Sequence, residues 1–458
     1  MIEQPSRSFL DKSHPSLEAL QPRANVEERV LTGFTPELRQ QIRVGMQNYP
    51  ESFRVEVKNP PSYRATVITP KFLPESALPK QGVIWLPGFT GSASDNADVA
   101  AQLYEKIPSQ DKDGQLALAA SLSSSIGRDL QTWRFPQSHL ERATYYAAFI
   151  MQLVKQSPYP LDDLKIIAHS LAGMEAAYII PMLRSLLRQN NSKTKIGAVV
   201  LTQPGGMYDQ NRFGFVGKRT NEVTSLQGEM AEMFPSIFDI QTVKDNLENV
   251  QVQQDPARVV LLKQQLLEME QKRQNPANLT AEQKQALAQI DEALESSDNA
   301  DGGMTKSLLR HRKKLLKPVI QKVLRGADLR GKPTFKEKIQ NSVNLVQFLT
   351  ANFLPRRFGL TTALPEAINK GLDDVPVVLI FGEQDGYFKL KEYQEYLKKQ
   401  ATKGKHPLQA SAKRFIAQIA NWPHIAPATN PAKFASIVGD IFRRMNEPAA
   451  SAITELKY

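Results

Sequence analysis

The chain is predicted to be an α/β protein, with a mostly parallel sheet covered by helices on both faces and a large helical cap inserted into it. Three observations predict this. Short, nearly continuous apolar runs at Gly82 to Leu86, before Ala168, at Ile196 to Pro204 and at Val375 to Gly382 have the Val and Ile content of strands buried on both faces. Amphipathic helical patterns alternate with those runs, which is how parallel strands are connected. Between the third and fourth runs lies a long stretch rich in Gln, Lys, Glu and Leu that reads as helices only.

Taken in order, residues 1–50 are polar and punctuated by proline, and are expected to form an N-terminal arm with one short helix at Pro36 to Gln47. The runs FRVEV and YRATVITP between Phe53 and Pro70 are separated by Lys58-Asn59-Pro60-Pro61 and read as a hairpin. After the strand Gly82 to Leu86, Asp95 is expected to cap a helix reaching Ile107. A strand follows at Leu116 to Leu122, then a serine-rich turn, Ser123 to Ser125, expected to be solvated. A long helix fits Ser138 to Lys155, with Leu140, Ala143, Ala147, Ile150, Met151 and Val154 on one face.

The body is expected over 51–207 and 371–458, with the cap over 208–370. Within the cap, Asp255-Pro256 starts a helix with proline at its first position. Thr280 to Gln283 and Thr334 to Glu337 have the form of capping boxes, and Thr305 to Arg325 carries apolar pairs along one side. The body resumes with a helix at Leu390 to Gln400, a strand at Lys413 to Ile419 and a last amphipathic helix from Ala432 to Met445.

Composition narrows the chemistry. With no cysteine, disulfides, thiolate metal sites and cysteine nucleophiles are all excluded. The six histidines lack metal-ligand spacing, so neither a metal nor a cofactor is expected. No run of apolar residues is long enough to span a bilayer, and the N-terminus lacks the basic start and apolar block of a signal peptide, so the expectation is a cytoplasmic protein. The net charge of +11 is local: Lys306 to Arg357 holds fourteen Lys and Arg against Asp328 and Glu337, a net +12. Such a stretch is either a solvated helical face or a contact with an anionic partner, as a peripheral contact with an anionic membrane or with an acidic ligand, since basic residues accompany apolar pairs there. Nucleic acid is disfavoured, because no binding motif or interleaved aromatic platform is present.

The functional reading turns on Leu164 to Tyr178, LKIIAHSLAGMEAAY. A β-branched run ends in Ala168-His169-Ser170-Leu171-Ala172-Gly173, and a helical pattern begins at once, so Ser170 stands at the apex of a strand-turn-helix. Such a turn lifts the hydroxyl off the sheet edge and leaves the following N–H, that of Leu171, pointing where an oxyanion would form. Ala168 and Ala172, with Gly173, supply the small residues that let helix and strand backbones cross. A serine hydroxyl needs a base, an acid to orient the base, and oxyanion donors. Each has a candidate at a strand end. Asp385 closes VVLIFGEQD, with Glu383 as a rival acid; His424 lies between the final strand and final helix; Phe89, after Pro87-Gly88, offers a backbone N–H. His169 is expected to pack or hydrogen-bond under the turn, and Trp422 and Tyr387 are candidates to line a pocket.

The order of oxyanion loop, serine, acid and histidine, with a cap inserted after the strand that follows the serine, resembles the α/β-hydrolase superfamily over about Phe53 to Gly206 and Val375 to Met445. Two departures stand out: alanines replace the usual flanking glycines, and Pro87 stands where many members have histidine. The resemblance implies Ser170 as nucleophile, His424 as general base, Asp385 as its orienting acid, and Phe89 and Leu171 as oxyanion donors. It further implies hydrolysis of a carboxylic ester, esterase- or lipase-like. Thioester hydrolysis and acyl transfer would use the same residues, and a non-catalytic relative whose basic cap engages a partner is the reading from another class.

Overall fold

The computed structural model describes residues 15–31, 33–47, 63–73, 80–88, 93, 96–107, 116–123, 139–205, 263, 372, 374–385, 389–402, 414–422, 424, 426–445 and 453–458. Contacts divide the chain into two units, one of Met1–Leu130, Pro136–Gln210 and Gly359–Tyr458, the other of Gln131–Phe135 and Asn211–Phe358. The helices expected at 255–273, 280–298, 305–325 and 334–354 lie outside the described residues, apart from Lys263, which is helical.

In the first unit the elements run α1 (Pro15–Leu20), β1 (Ala24–Leu31), α2 (Pro36–Met46), β2 (Tyr63–Pro70), β3 (Gln81–Leu86), α3 (Ala97–Lys106), β4 (Leu118–Leu122), α4 (His139–Gln156), β5 (Asp163–His169), α5 (Leu171–Gln189) and β6 (Lys195–Thr202). After the insert come β7 (Val377–Gly382), α6 (Leu390–Ala401), β8 (Arg414–Ile419), α7 (Ala426–Thr429), α8 (Pro431–Met445) and β9 (Ile453–Lys457). The strands form one nine-stranded sheet in the order β1-β2-β4-β3-β5-β6-β7-β8-β9. β2 is antiparallel to both of its neighbours, and every pairing from β4 to β9 is parallel. This is the mostly parallel, helix-covered sheet that the alternation of patterns predicts.

The apolar runs sit at its centre for the reason that made them visible. β3 and β7 are buried at every residue, so both faces of each strand meet protein and neither can carry polar side chains. One face packs on α3 and α8, which also contact each other. There Val83, Trp85, Ile167, Val200, Val378 and Ile380 meet Phe434, Val438 and Ile441 in one cluster. Phe434, Ile437, Val438, Ile441 and Phe442 of α8 recur at helical spacing and are all buried. Each such side chain removed from water stabilises by about 1.5–3 kcal/mol. On the other helical layer, α5 packs against α4 and α2. Tyr63 and Phe149 touch there at 4.6 Å between ring centroids. Arg142 of α4 and Glu175 of α5 form an ion pair with both side chains 1% exposed, so neither can be removed without leaving an uncompensated buried charge.

Four local expectations are revised. The segment expected as an arm instead supplies β1, the sheet's edge strand, paired in register with β2 from Ala24↔Pro70 to Leu31↔Tyr63. Both edges of β2 are therefore taken by β1 and β4 over Ala65 to Ile68, which replaces the expected hairpin; residues 53–57 lie outside the described residues. The N-cap of α3 is Asn96, and it makes no side-chain cap bond because its Oδ1 accepts from Trp85 Nε1 at 3.0 Å. Ser123 is not solvated but fully buried, its hydroxyl donating to the Arg64 carbonyl at 2.8 Å. By contrast α2 begins as its sequence indicates, with proline in the first turn and Thr35 Oγ1 accepting from the Leu38 N–H at 3.2 Å.

Candidate active site

β5 hands directly to α5 through Ser170, which takes φ 52° and ψ −115°. A non-glycine residue at positive φ is strained by about 1–3 kcal/mol and persists only where its surroundings hold it. Three backbone bonds do so. The Ser170 N–H donates to the Thr202 carbonyl at 3.0 Å, and the Ser170 carbonyl accepts from Gly173 and Gly205, each at 3.1 Å. Gly173 is the close crossing: a Cβ there would meet Cβ of Pro204 at 2.7 Å and its Cα at 3.0 Å. Ala168 and Ala172 are buried beside it, so alanine suffices at the two positions that flank the serine.

Asp385 and His424 follow β7 and β8, the second and third parallel strands beyond β5 in the sheet. β7 ends at Gly382, and the turn that follows places Asp385 with 1% exposure. β8 ends at Ile419, and His424 lies in the loop between it and α7. His424 Nδ1 is 3.0 Å from Asp385 Oδ2, and His424 Nε2 is 2.8 Å from Ser170 Oγ. A carboxylate only accepts, so Nδ1 carries the proton and the Nε2 lone pair faces the serine hydroxyl. Three side chains from distant parts of the chain thus form one hydrogen-bonded line at the carboxyl end of the sheet.

Glu383 has a different partner. Its Oε2 accepts from the Asn421 N–H at 3.2 Å, while Gln384 N–H donates to the Trp422 carbonyl at 3.2 Å. Both bonds tie the histidine loop to the end of β7. Gly382 makes the approach possible, since a Cβ on it would lie 2.1 Å from the Trp422 carbonyl oxygen. Trp422, a candidate to line a pocket, is 2% exposed in the core cluster that includes α8, with Lys433 Nζ 5.4 Å above its ring. Tyr387 lies outside the described residues.

Of the two candidate oxyanion donors, one lies among the described residues. Leu171 is the first residue of α5, so its N–H is among the first four amides of a helix, which have no intrahelical acceptor. Phe89 lies outside the described residues. The preceding Gly88 is packed on the serine, where a Cβ would come within 2.8 Å of Ser170 Cβ and 2.9 Å of His169 Nδ1.

His169 belongs to the site as well. Its ring stacks on Trp85 at 5.8 Å and 15°, and its Nε2 lies 2.8 Å from the His424 carbonyl. Burial, and then the neighbouring His424, pull its pKa down to about 3, against smaller opposing effects of hydrogen bonds to the His424 backbone and the Gln203 side chain. The ring is therefore neutral. The two imidazole centroids are 4.9 Å apart, a range at which two positive charges would repel by about 3 kcal/mol at an effective dielectric near 20. Gln203 was missed in the sequence; it adopts φ 47° just after β6, with its N–H donating to the Ile380 carbonyl at 2.7 Å. The signal was a polar residue closing an apolar strand before Pro204-Gly205.

Among the described residues no group of three His, Asp or Glu is arranged to hold a metal ion, and no helix is long and apolar enough to cross a membrane. No protein-family model matches the chain, and no curated protein matches it. Solved structures similar to it include a peroxisomal alpha-beta-hydrolase, Lpx1, from Saccharomyces cerevisiae, 13% identical with TM-score 0.43, covering 94% of this chain and 92% of that one. The carboxylesterase CesB of Bacillus subtilis is 10% identical with TM-score 0.35, over 88% and 95%. The proline iminopeptidase of Mycobacterium smegmatis is 14% identical with TM-score 0.34, over 84% and 95%. At these values the likeness adds nothing to the strand order and registers described above.

Proposed function

For a chain with the α/β-hydrolase fold, we propose the activity of a serine hydrolase that cleaves a carboxylic ester through an acyl-enzyme. One observation carries the reading: the line Ser170 Oγ, His424 Nε2, His424 Nδ1, Asp385 Oδ2, with spacings of 2.8 and 3.0 Å and every member buried. Ser170 attacks the ester carbonyl while His424 Nε2 takes its proton. Asp385 holds the tautomer that leaves Nε2 free to do so and offsets the charge of the imidazolium. The tetrahedral oxyanion is held by the Leu171 N–H and by a second amide from the loop after Gly88, for which Phe89 is the candidate. Each such donor contributes about 3 kcal/mol to the transition state. His424 returns its proton to the leaving alcohol, then activates the water that releases the acid.

A fluorophosphonate probe tests this directly. Wild-type protein is expected to be labelled, and Ser170→Ala, folded to the same melting temperature, to remain unlabelled. Folded wild type that resists the probe would sink the enzyme and leave a hydrolase-like binding protein. A series of p-nitrophenyl esters and acyl thioesters of rising chain length then separates ester from thioester chemistry and reports the acyl preference.

A further inference from the structure

His424 is held through its backbone as well as its ring. The bonds from Glu383 and Gln384 reach Asn421 and Trp422 and fasten the loop to β7, the strand that bears the acid. The bond at His424 itself comes from elsewhere: its carbonyl oxygen is 2.8 Å from Nε2 of His169, the last residue of β5 and the immediate neighbour of Ser170. A carbonyl only accepts, so Nε2 of His169 carries the proton. Two consecutive residues thus grip His424 at two points, Ser170 at the imidazole and His169 at the main chain. A shift of the histidine backbone lengthens both bonds together.

We propose that His169 is a positioning residue whose Nε2–H, donated to the His424 carbonyl, sets the distance between the general base and the serine. The proposal rests on the reading of Ser170 and His424 given above. Stacking on Trp85 fixes the plane of the ring, and a Cβ on Gly88 would come within 2.9 Å of its Nδ1, so the imidazole is confined on that edge as well. Its neutrality, imposed chiefly by burial, means that no second cation faces His424 when that residue accepts the serine proton.

Two substitutions separate the hydrogen bond from the packing. His169→Phe keeps a flat ring against Trp85 and loses the donor; His169→Gln keeps an N–H near the Nε2 position and loses the ring. The measurement is the saturating rate constant of fluorophosphonate labelling and the concentration that half-saturates it. His169→Phe is expected to lower the rate constant by about 10- to 100-fold with half-saturation unchanged, the scale of loss for a small misplacement of a reacting group. His169→Gln is expected to recover most of that loss. A phenylalanine variant within twofold of wild type, or equal losses in both variants, would overturn the proposal. Should His169→Phe fail to fold, histidine-selective nitrogen NMR of the wild type decides: a neutral ring protonated on Nε2, absent from His169→Gln, is expected, and a charged or Nδ1-protonated ring refutes it. Wild type that is never labelled fails the hydrolase reading, and this inference with it. Wild type that labels while His169→Phe labels equally fails this inference alone.

Discussion

Burial of His169 has a consequence for stability that is separate from any role in catalysis. In the unfolded chain the imidazole titrates near its ordinary 6.5; in the folded protein the value is about 3. Between the two, only the unfolded state binds the proton. The stabilisation is complete above about pH 6.5 and is lost as pH falls toward 3, at up to about 1.4 kcal/mol per pH unit. From pH 7 to 4.5 this residue alone is expected to remove roughly 2–3 kcal/mol. Urea unfolding of wild type and His169→Phe at both pH values checks it. The variant should lose less stability than wild type by that amount, and equal losses would rule the effect out.

Elements matter here through their ends. The site is assembled by three loops that leave consecutive parallel strands, β5, β6 and β7, and by the loop after β8. Each loop is held where it passes closest to a neighbour. Gly382 is the tightest of these contacts, because the Trp422 carbonyl occupies the place of its missing Cβ. Gly382→Ala is therefore expected to push the 421–424 loop outward, lengthening the His424–Ser170 bond, while the buried strand β7 stays paired to β6 and β8. Labelling by the probe should fall by about 100-fold, since an error near 1 Å in the base has that scale of effect. A rate within about threefold of wild type would mean that the loop accommodates the methyl without moving. The Arg142–Glu175 pair does for α4 and α5 what Gly382 does for the loops, joining two helices whose first turns lie at the same end of the sheet as Ser170.

At the scale of the whole molecule, the sheet carries the candidate site at its middle strands and β1 and β9 at its rims. β9 closes one rim, paired in parallel with β8 from Arg414↔Ile453 to Gln418↔Lys457. It is fastened further by Tyr458, whose hydroxyl donates to Asp440 Oδ2 at 2.8 Å. Removing residues 453–458 leaves the edge of β8 unpaired but touches none of the strands that carry Ser170 or Asp385. The expected outcome is a melting temperature lower by several degrees and greater aggregation on heating, with the labelling rate at 25 °C within about twofold. A rate that collapses while the protein stays folded would show that β9 helps to set the histidine loop. Two rows of pairing separate β9 from the acid strand, which is why the effect should fall on stability.

Much of the design can be read without coordinates wherever it is local in the chain. Continuous Val and Ile runs declare central strands because both of their faces must be apolar. Small residues around Ser170 declare the turn because two backbones must cross there. The order of serine, acid and histidine follows from strand ends alone. Tertiary structure decided the rest, because the remaining signals are pairings between distant segments. β1 was hidden because an edge strand half open to water has the burial of Ala24–Leu31, in which few residues need be apolar. Ser123 reads as part of a solvated turn until the elements packed over it are known. Asp385 and its rival Glu383 stand two residues apart at one strand end, and the chain favours Asp385 only by its place beyond the strand. Where the loop after β8 docks gives the main-chain amide of Asn421 to one and the imidazole of His424 to the other.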